Sequence, residues 1–462
     1  MVRILSLFLL LASSLWAQQS GKTNEAQKEP PDELGKFKYN CPFKHIAGCA
    51  ELLFTGQPLH IALGSIAPQN GFAAGLAYVG HKDTENWSTS WSADAVASNN
   101  ASWRTGVYLK FVDTRLKPMT PHFGGQPNTD TNPYPEQPVY NLYFQSISLN
   151  KLIFFGLGPK STRGGRSFFG QTEHIIGGSA VRPAYEKLNM GLYGEVNGRS
   201  VDIRGSHNQP SPSIEQIYNP VTAPGLNDQP FFIQLGAGVR MRPSALNNLL
   251  HFNYDVAYRP FFAASGPGFS FQRLTFDLYQ EISLYRKNPL VARETNGPND
   301  CRMDPSDAHS PCRPITSRSL QGSLGLRVFS TLSMTPGGDV VPFYFQPTLG
   351  GSDINGNPAL PSYEDYRFRA PNNLLFQESF EHSIGKFPLG FTIRADQGKV
   401  ALTRGDLGSN HWNHSYATGL TLRAGGFPQV YLLFAWGGNE GTHTIASMNT
   451  SLLGSSSRPS LF

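Results

Sequence analysis

The chain has 462 residues, a formal net charge of +5 and only 15% charged residues, while it carries 47 glycines, 31 phenylalanines and 18 tyrosines. The net charge is small for this length and is not clustered, so no nucleic acid is expected as a partner. No apolar run of about 18 residues follows residue 17, which excludes a helical membrane protein. Many aromatic and turn residues with few charges are typical of a transmembrane β-barrel.

Residues 1–17 are predicted to be a signal peptide. Arg3 provides the positive charge, a strongly apolar segment follows it, and Ala17 is a small residue at the predicted cleavage site. The apolar segment is shorter than the about 20 residues that a membrane-spanning helix needs. The sequence therefore predicts export through the Sec pathway to the bacterial outer membrane, with a retained amino-terminal anchor as the alternative.

Residues 18–57 form a predicted lead-in to the barrel. Polar residues dominate its first half, which is typical of a flexible segment. Within it, residues 43–54 are predicted to form either a short helix or a plug-like segment, and the pattern does not choose between the two.

The four cysteines fall into two local pairs, Cys41 with Cys49 and Cys301 with Cys312. An even number of cysteines in an exported chain predicts two disulfides that close small loops. A metal site is the alternative, but these spacings fit no zinc pattern. We therefore expect disulfides, no metal and no cofactor.

From residue 58 onward, apolar and polar side chains alternate with a period of two. In residues 87–98 the face that carries Trp91 is apolar, and the face that carries Asp94 is polar. Two asparagines at residues 99–100 predict a tight turn, after which the alternation resumes in residues 102–111. This pattern predicts a hairpin of two long strands, each with one apolar and one polar face.

Similar alternation recurs in residues 274–284 and 320–328. These runs reach the about 9–11 residues that a tilted strand needs to cross a membrane, and exceed the usual length of about 5–6 residues in soluble sheets. Residues 58–462 are therefore predicted to be an all-β domain, a single antiparallel transmembrane β-barrel of about 16 strands. A soluble sandwich or propeller is the alternative.

Three segments are too long and too rich in turn residues to be hairpin turns. They are residues 117–138, 209–230 and 288–317, and each contains several prolines. They are predicted to be long external loops.

Two stretches of the sequence carry a resemblance to a known family. The first comprises Phe-Phe-Gly-Leu-Gly at residues 154–158, Ser161 and Arg-Ser-Phe-Phe at residues 166–169. The second comprises, in order, residues 349–353, 360–363, 366–369, 372–375 and 396–398. Both resemble the BamA-like superfamily of outer-membrane assembly factors, also called bacterial surface antigen barrels.

The resemblance implies a 16-stranded barrel with one loop folded back into the lumen. In the family, the Arg-Gly-aromatic tip of this loop packs on a wall strand that carries an Asp-x-Gly motif. The corresponding loop residues here are Leu360, Tyr363, Arg367 and Arg369, and those of the wall are Arg394, Asp396 and Gly398. A guanidinium in a narrow polar lumen can pin such a loop through charge-assisted hydrogen bonds to a carboxylate.

The sequence departs from the family at the tip itself. Pro361 and Ser362 stand where the family has Arg and Gly, so that only Tyr363 of the tip motif remains. On the wall, Arg394 replaces an aromatic residue. Members that assemble proteins carry POTRA domains before the barrel, and residues 18–57 are too few for one. We therefore expect a divergent member that lacks POTRA domains.

The altered tip raises the question of which cation faces Asp396. One hypothesis pairs it with Arg394, Arg367 or Arg369. The alternative is a solvated carboxylate in the lumen.

Other candidate chemistry is weak. No nucleotide-binding or hydrolase motif occurs, so no catalytic residue is assigned and no enzyme is expected. His411 and His414 could hold a metal, but an exposed loop is the simpler interpretation. A loose basic region would favour anions if it faced the lumen; separate arginines at hairpin ends are the alternative. It comprises Arg163, Arg166, Arg182, Arg199 and Arg204.

Three functions remain open. The resemblance implies a barrel with a weak closing seam that aids assembly or translocation of outer-membrane components. The alternatives are a passive or selective, porin-like channel and a structural barrel for surface display. The expected partners are outer-membrane lipid and lipopolysaccharide, together with other outer-membrane proteins as clients.

Overall fold

The computed structural model describes residues 59–115, 138–206, 209–246, 249–264, 268–287, 320–384, 389–408, 411–424, 427–438, 440–448 and 458–461. The predicted signal peptide, the lead-in with its plug-like segment and all four cysteines lie outside these residues, and so do residues 288–317 and almost all of residues 117–138. Within the described part of the chain, no helix is long and apolar enough to cross a membrane.

Regular structure in the described residues is almost entirely β-strand. The strands, numbered in chain order, are β1 (Leu59–Gly64), β2 (Ala73–Asp83), β3 (Trp87–Ser98), β4 (Trp103–Asp113), β5 (Val139–Phe154), β6 (Ser167–Tyr185), β7 (Met190–Gly205), β8 (Phe232–Met241), β9 (Ser244–Ala245), β10 (Leu250–Ala263), β11 (Phe271–Lys287), β12 (Leu320–Met334), β13 (Thr348–Leu349), β14 (Phe368–Arg369), β15 (Asn372–Ser383), β16 (Leu389–Ala401), β17 (Asn413–Ala424), β18 (Phe427–Gly438) and β19 (Gly441–Met448). The helical elements are α1 (Ile214–Ile217) and short 3-10 turns at Arg163–Gly165, Glu186–Leu188, Phe343–Phe345 and Gly405–Gly408.

Each long strand pairs in antiparallel fashion with the next long strand along the chain, from β1 to β19. The two-residue strand β9 joins the same sheet beside β10, whereas β13 and β14 pair only with each other. No pairing between β1 and β19 is present within the described residues. The prediction of one antiparallel sheet of about 16 strands is confirmed, including the hairpin of β3 and β4.

The sheet is apolar on its exposed face and polar on its buried face. In β5, Leu142 is 53% exposed and Phe144 is 44% exposed, while the intervening Tyr143 and Gln145 are only 5% and 2% exposed. In β7, Val196 is exposed and its neighbour Asn197 is buried. A soluble protein does the opposite, because exposed apolar surface is costly in water. An apolar outer face and a polar interior are what a barrel in lipid requires.

Several charged side chains on the inner face form ion pairs between neighbouring strands. Arg104 reaches Asp94 at 2.8 Å between β4 and β3. Arg199 reaches Glu173 at 2.9 Å between β7 and β6, and both side chains are fully buried. Because an unpaired buried charge is strongly destabilising, these pairs are needed wherever the interior excludes water.

The connections between strands lie alternately at two ends of the sheet. The turns β1–β2, β3–β4, β5–β6, β7–β8, β10–β11 and β12–β15 share one end, which we call the loop end. Strands β4 and β11 end, and β5 and β12 begin, at the opposite end. Residues 209–230 connect two strands at the loop end, and the other two predicted external loops lie almost entirely outside the described residues.

A cluster of buried rings, which we call the aromatic cap, fills the interior at the loop end. Its centre is the 3-10 turn Phe343–Phe345 in the connection between β12 and β15. The Phe343 ring lies 5.1 Å from that of Phe154 and 5.2 Å from that of Phe169. The Phe345 ring lies 5.0 Å from that of Phe232. These partners stand at the loop-end tips of β5, β6 and β8, so the cap closes this part of the interior.

Residues 209–230 also contribute to the core. Ile214 and Ala223 are fully buried, and Leu226 is nearly so. The backbone N–H of Phe343 donates to the carbonyl of Pro224 at 2.8 Å. This predicted external loop is therefore fixed against the aromatic cap over part of its length.

Candidate functional site

A second segment of the β12–β15 connection, residues 350–367, enters the interior; we call it the tip loop. Its stem is the short pair of β13 and β14, in which Leu349 lies opposite Phe368. The loop begins at Gly350 and Gly351, which have φ angles of +111° and +57°. A Cβ atom on Gly350 would lie 2.7 Å from the carbonyl oxygen of Glu364, so this turn requires glycine.

The tip docks on the wall through its own backbone. The N–H of Leu360 donates to Oδ2 of Asp396 in β16 at 2.8 Å. The N–H of Ser362 donates to Oγ of Ser415 in β17 at 2.8 Å. Leu360 has a φ of +54°, which is uncommon for a residue with a side chain and fixes the direction of its N–H. Two wall side chains thus hold two backbone amides of the tip.

Asp396 is the centre of this contact, and it is only 1% exposed. Its Oδ1 accepts from Nε of Arg394 at 2.7 Å, and its Oδ2 also accepts from Nε2 of Gln377 at 3.1 Å. Of the three arginines considered from the sequence, the structure therefore pairs Arg394 with Asp396. The burial of Asp396 is incompatible with the alternative of a solvated carboxylate.

Side chains of the wall also donate hydrogen bonds to the backbone of the tip loop. A second guanidinium nitrogen of Arg394 donates to the carbonyl of Pro358 at 2.6 Å, and Gln377 donates to the same carbonyl at 3.1 Å. In the family motif the cation belongs to the tip, whereas here it belongs to the wall. The guanidinium beside Asp396 is thus supplied by Arg394 of the wall strand.

Gly398, two residues beyond Asp396, makes room for the stem and the tip. A Cβ atom at this position would lie 3.0 Å from Leu375, 3.1 Å from Leu349 and 3.4 Å from Leu360. Tyr363 is buried in the same apolar cluster as these leucines. A larger residue in place of Gly398 would push the loop away from β16.

Arg367 ties the base of the tip loop to two turns. Its Nε lies 2.5 Å from Oε1 of Glu440 in the β18–β19 turn. Its terminal nitrogens donate to Oγ and the carbonyl of Ser161, at 3.0 and 2.9 Å, in the β5–β6 turn. The rings of Phe155 and Phe368 flank the guanidinium at 5.0 and 4.6 Å. Arg367 is therefore a structural bridge and does not face Asp396.

Arg369 joins the loop to the aromatic cap. It donates to the carbonyl of Phe343 at 2.8 Å, and the rings of Phe154 and Phe169 lie 5.9 Å away. Burial lowers the pKa of Arg369 to about 10, so it remains cationic at neutral pH. The backbone N–H of Gly158 donates to the carbonyl of Arg369 at 2.7 Å. The two stretches that carry the family resemblance thus meet in space.

The tip loop also contacts the turn that follows β1. The hydroxyl of Tyr366 donates to the carbonyl of Pro68 at 2.9 Å, and Gln69 donates to Asp365 at 2.6 Å. Burial raises the pKa of the Asp365 carboxyl. Together with the contact to Glu440, the loop touches turns beside both end strands, β1 and β19.

A cavity of about 310 Å³ remains between the tip loop and the wall. Its lining includes Tyr279, Arg327, Asn355, Glu381, Arg394 and Tyr431. Arg327 is paired with Asp277 at 2.7 Å, and Arg394 is held by Asp396. Both arginines of the lining are therefore already paired with carboxylates.

The basic region proposed from the sequence is divided among several sites. Arg163 and Arg166 both reach Glu364 of the tip loop, at 2.9 and 3.4 Å. Arg199 is buried with Glu173, Arg204 donates to Thr172 and Ser148, and Arg182 is exposed. His411 and His414 are exposed. These arginines therefore do not form one continuous lining for anions.

Sequence reasoning missed Gln377, Ser415 and Glu440 as members of the site. Gln377 lies opposite Asp396 in the β15–β16 register, and Ser415 lies opposite Asp396 in the β16–β17 register. Only strand register places Gln377 and Ser415 beside Asp396, and the sequence alone does not reveal strand register. Glu440 lies in a turn that carries no motif.

No family model matches the chain, and no curated protein matches it. Among solved structures, the chain is similar to BamA from Haemophilus ducreyi lacking POTRA domains 1–3, with 9% identity, a TM-score of 0.46 and coverage of 85% of this chain and 70% of that one. It is similar to CdiB from Escherichia coli, with 11% identity, a TM-score of 0.47 and coverage of 83% and 59%. It is also similar to CdiB from Acinetobacter baumannii, with 10% identity, a TM-score of 0.44 and coverage of 84% of this chain and 59% of that one. The chain thus spans less than two thirds of either CdiB chain.

Proposed function

We propose that this protein is a bacterial outer-membrane barrel that aids assembly or translocation of other outer-membrane components. One observation carries the proposal: the tip loop is docked in the interior and touches the turns beside both end strands. Arg367 contacts Glu440 next to β19, and Tyr366 contacts Pro68 next to β1. The position of the loop is thereby linked to the two edges that must meet for the sheet to close.

The two end strands, β1 and β19, supply the physical basis, because no pairing between them is present within the described residues. In the hydrocarbon region of a membrane every backbone N–H and C=O must find a partner, so an unpaired strand edge is costly. An extended client segment satisfies such an edge by adding a strand. A barrel whose end strands are weakly joined can therefore accept a client strand there. The family resemblance of the loop and wall motifs points to the same role.

Lipid is the second proposed partner. Large apolar side chains cover the outer face of the sheet, including Leu142, Phe144 and Val196. This surface fits the acyl chains of outer-membrane lipid and lipopolysaccharide. The apolar face thus supports the proposed membrane residence, and the docked loop supports the proposed activity.

The test is the outer-membrane protein and lipid profile of a strain that lacks the gene. We expect loss of a defined set of other barrels or lipids, restored by the wild-type gene. Asp396→Asn should restore it only in part, since this change weakens the hold on the tip. Arg115→Gln is the matched control, because Arg115 is exposed and its ion pair with Asp113 lies beyond the loop-end turns, where β4 ends. An unchanged profile in the deletion strain contradicts the proposal.

A small-solute channel is the second candidate, and the cavity of about 310 Å³ in the interior favours it. The aromatic cap and the docked loop oppose it, since both occupy the interior. Recordings in planar bilayers separate the two functions. We expect no steady conductance from the wild-type protein, and a stable open pore would favour the channel.

A further inference from the structure

A short segment after β19 lies inside the sheet against its inner wall. It comprises residues 458–461, which we call the strap. Arg458 reaches Oδ2 of Asp94 in β3 at 2.6 Å. The carbonyl of Ser460 accepts from a terminal nitrogen of Arg199 in β7 at 2.9 Å. The N–H of Leu461 donates to Oδ1 of Asn355 in the tip loop at 3.1 Å.

The wall contains buried groups that match the strap. Arg199 is only 1% exposed, and its other nitrogens donate to Glu173 and Asn197. Without the carbonyl of Ser460, one donor of this buried guanidinium would lose its partner, which is costly. Asp94 is buried as well and binds Arg104 and Arg458 at once. These groups form a built site for an extended peptide.

An apolar anchor completes the site. The side chain of Leu461 is 5% exposed and belongs to the same core cluster as the aromatic cap. The strap therefore offers a cation, a carbonyl and an apolar side chain in that order. The corresponding groups on the wall are a carboxylate, a guanidinium and an apolar surface.

The strap lies near both ends of the sheet. β19 is an end strand, and the strap follows it after residues 449–457. Asp94 stands on β3, beyond β1 and β2 as counted from the other end of the sheet. The strap thus connects one end of the sheet to strands near the other end, from the inside.

We propose that residues 458–461 are an internal strap that holds β19 against the wall across the junction of the two end strands. The inner-wall groups of Asp94, Arg199 and Asn355 are its binding site. Because Asn355 belongs to the tip loop, the strap also couples the loop to this junction. The proposal rests on the fold alone, so it stands or fails independently of the assembly role.

Hydrogen exchange on the full-length protein in micelles tests the strap. Arg458→Gln removes its cation and leaves Asp94 paired with Arg104, while Leu461→Asn removes the apolar anchor. Each variant should raise amide exchange in β1 and β19 by about tenfold or more, because a hydrogen bond to a charged group is lost or a buried contact is broken. Exchange in β5 and β6 should stay unchanged.

Two further variants make the result specific. Arg458→Lys keeps the charge and should retain most of the protection in β1 and β19. Arg240→Gln removes a more exposed arginine–aspartate pair, that with Asp255 between β8 and β10, and it should leave β1 and β19 unaffected. Unchanged exchange in β1 and β19 for both Arg458→Gln and Leu461→Asn overturns the proposal. A rise spread evenly over all strands overturns it too, because the strap would then stabilise the whole fold and not the junction.

Discussion

The aromatic cap and the docked tip fill the same interior by different means. The cap is held by ring packing around Phe343 and Phe345. The tip is held by a smaller apolar cluster that includes Leu360 and by hydrogen bonds to Asp396 and Ser415. Ring packing is lost only by exposing apolar surface, whereas hydrogen bonds can be exchanged for bonds to water or to another ligand. The difference predicts that the tip is displaced more readily than the cap.

Removal of a central ring of the cap should have the largest effect. Phe343→Ala deletes a fully buried ring that contacts Phe154 and Phe169. We expect a loss of about 4 kcal/mol in the free energy of unfolding, measured by denaturant titration of the folded barrel in micelles. Phe262→Ala is the control, because Phe262 is exposed on the outer face of β10. A loss below about 1 kcal/mol for Phe343→Ala would show that the cap is not a packed core.

Loss of the wall cation should come next. Arg394→Gln leaves the buried Asp396 without its cation, which costs about 3 kcal/mol. Asp396→Asn tests the other partner, and a double-mutant cycle isolates their interaction. The combined loss should be smaller than the sum of the two single losses. Strict additivity would mean that the two side chains do not act as a pair.

A strained glycine in the tip loop should have an intermediate effect. Gly350→Ala places a side chain at a φ of +111° and close to the carbonyl of Glu364, which should cost about 2 kcal/mol. The damage should be confined to residues 350–367 and should appear as faster proteolysis there. Gly408→Ala serves as the control, because a Cβ atom there would meet nothing within 4 Å. Equal proteolysis of the two variants contradicts the docked geometry.

The smallest expected effect is on the pH dependence of docking. Burial raises the pKa of the Asp365 carboxyl above 3.8, with Glu364 adding to the rise and His443 opposing it. Docking should therefore be tightest below the ordinary pKa and should weaken as the pH rises through the raised value. Amide protection in the tip loop, corrected for intrinsic exchange, should fall less than about tenfold over this window. In the Asp365→Asn variant, amide protection in the tip loop should no longer depend on pH in this window. Amide protection that increases with pH in the wild-type protein would contradict the prediction.

The sequence predicted the barrel because alternation is a local property. The opposite exposures of Leu142 and Gln145 follow from a period of two that is visible in the chain itself. The pairing of Arg394 with Asp396 was also within reach, since the two residues lie two positions apart on one strand. In contrast, Ser415 and Glu440 enter the site through strand register and loop geometry. Those depend on the whole sheet, as does the cap around Phe343.

The docking of the tip on the wall is tested most directly by a cross-link in intact cells. Ser362→Cys and Ser415→Cys introduce two thiols on residues that are in direct contact, since the backbone N–H of Ser362 donates to Oγ of Ser415 at 2.8 Å. After mild oxidation, mass spectrometry should find the peptide that joins positions 362 and 415 in high yield. Ser362→Cys combined with Gln145→Cys, on the distant strand β5, should give none. Absence of the 362–415 link, or equal yields for both pairs, would contradict a tip loop docked on β16 and β17.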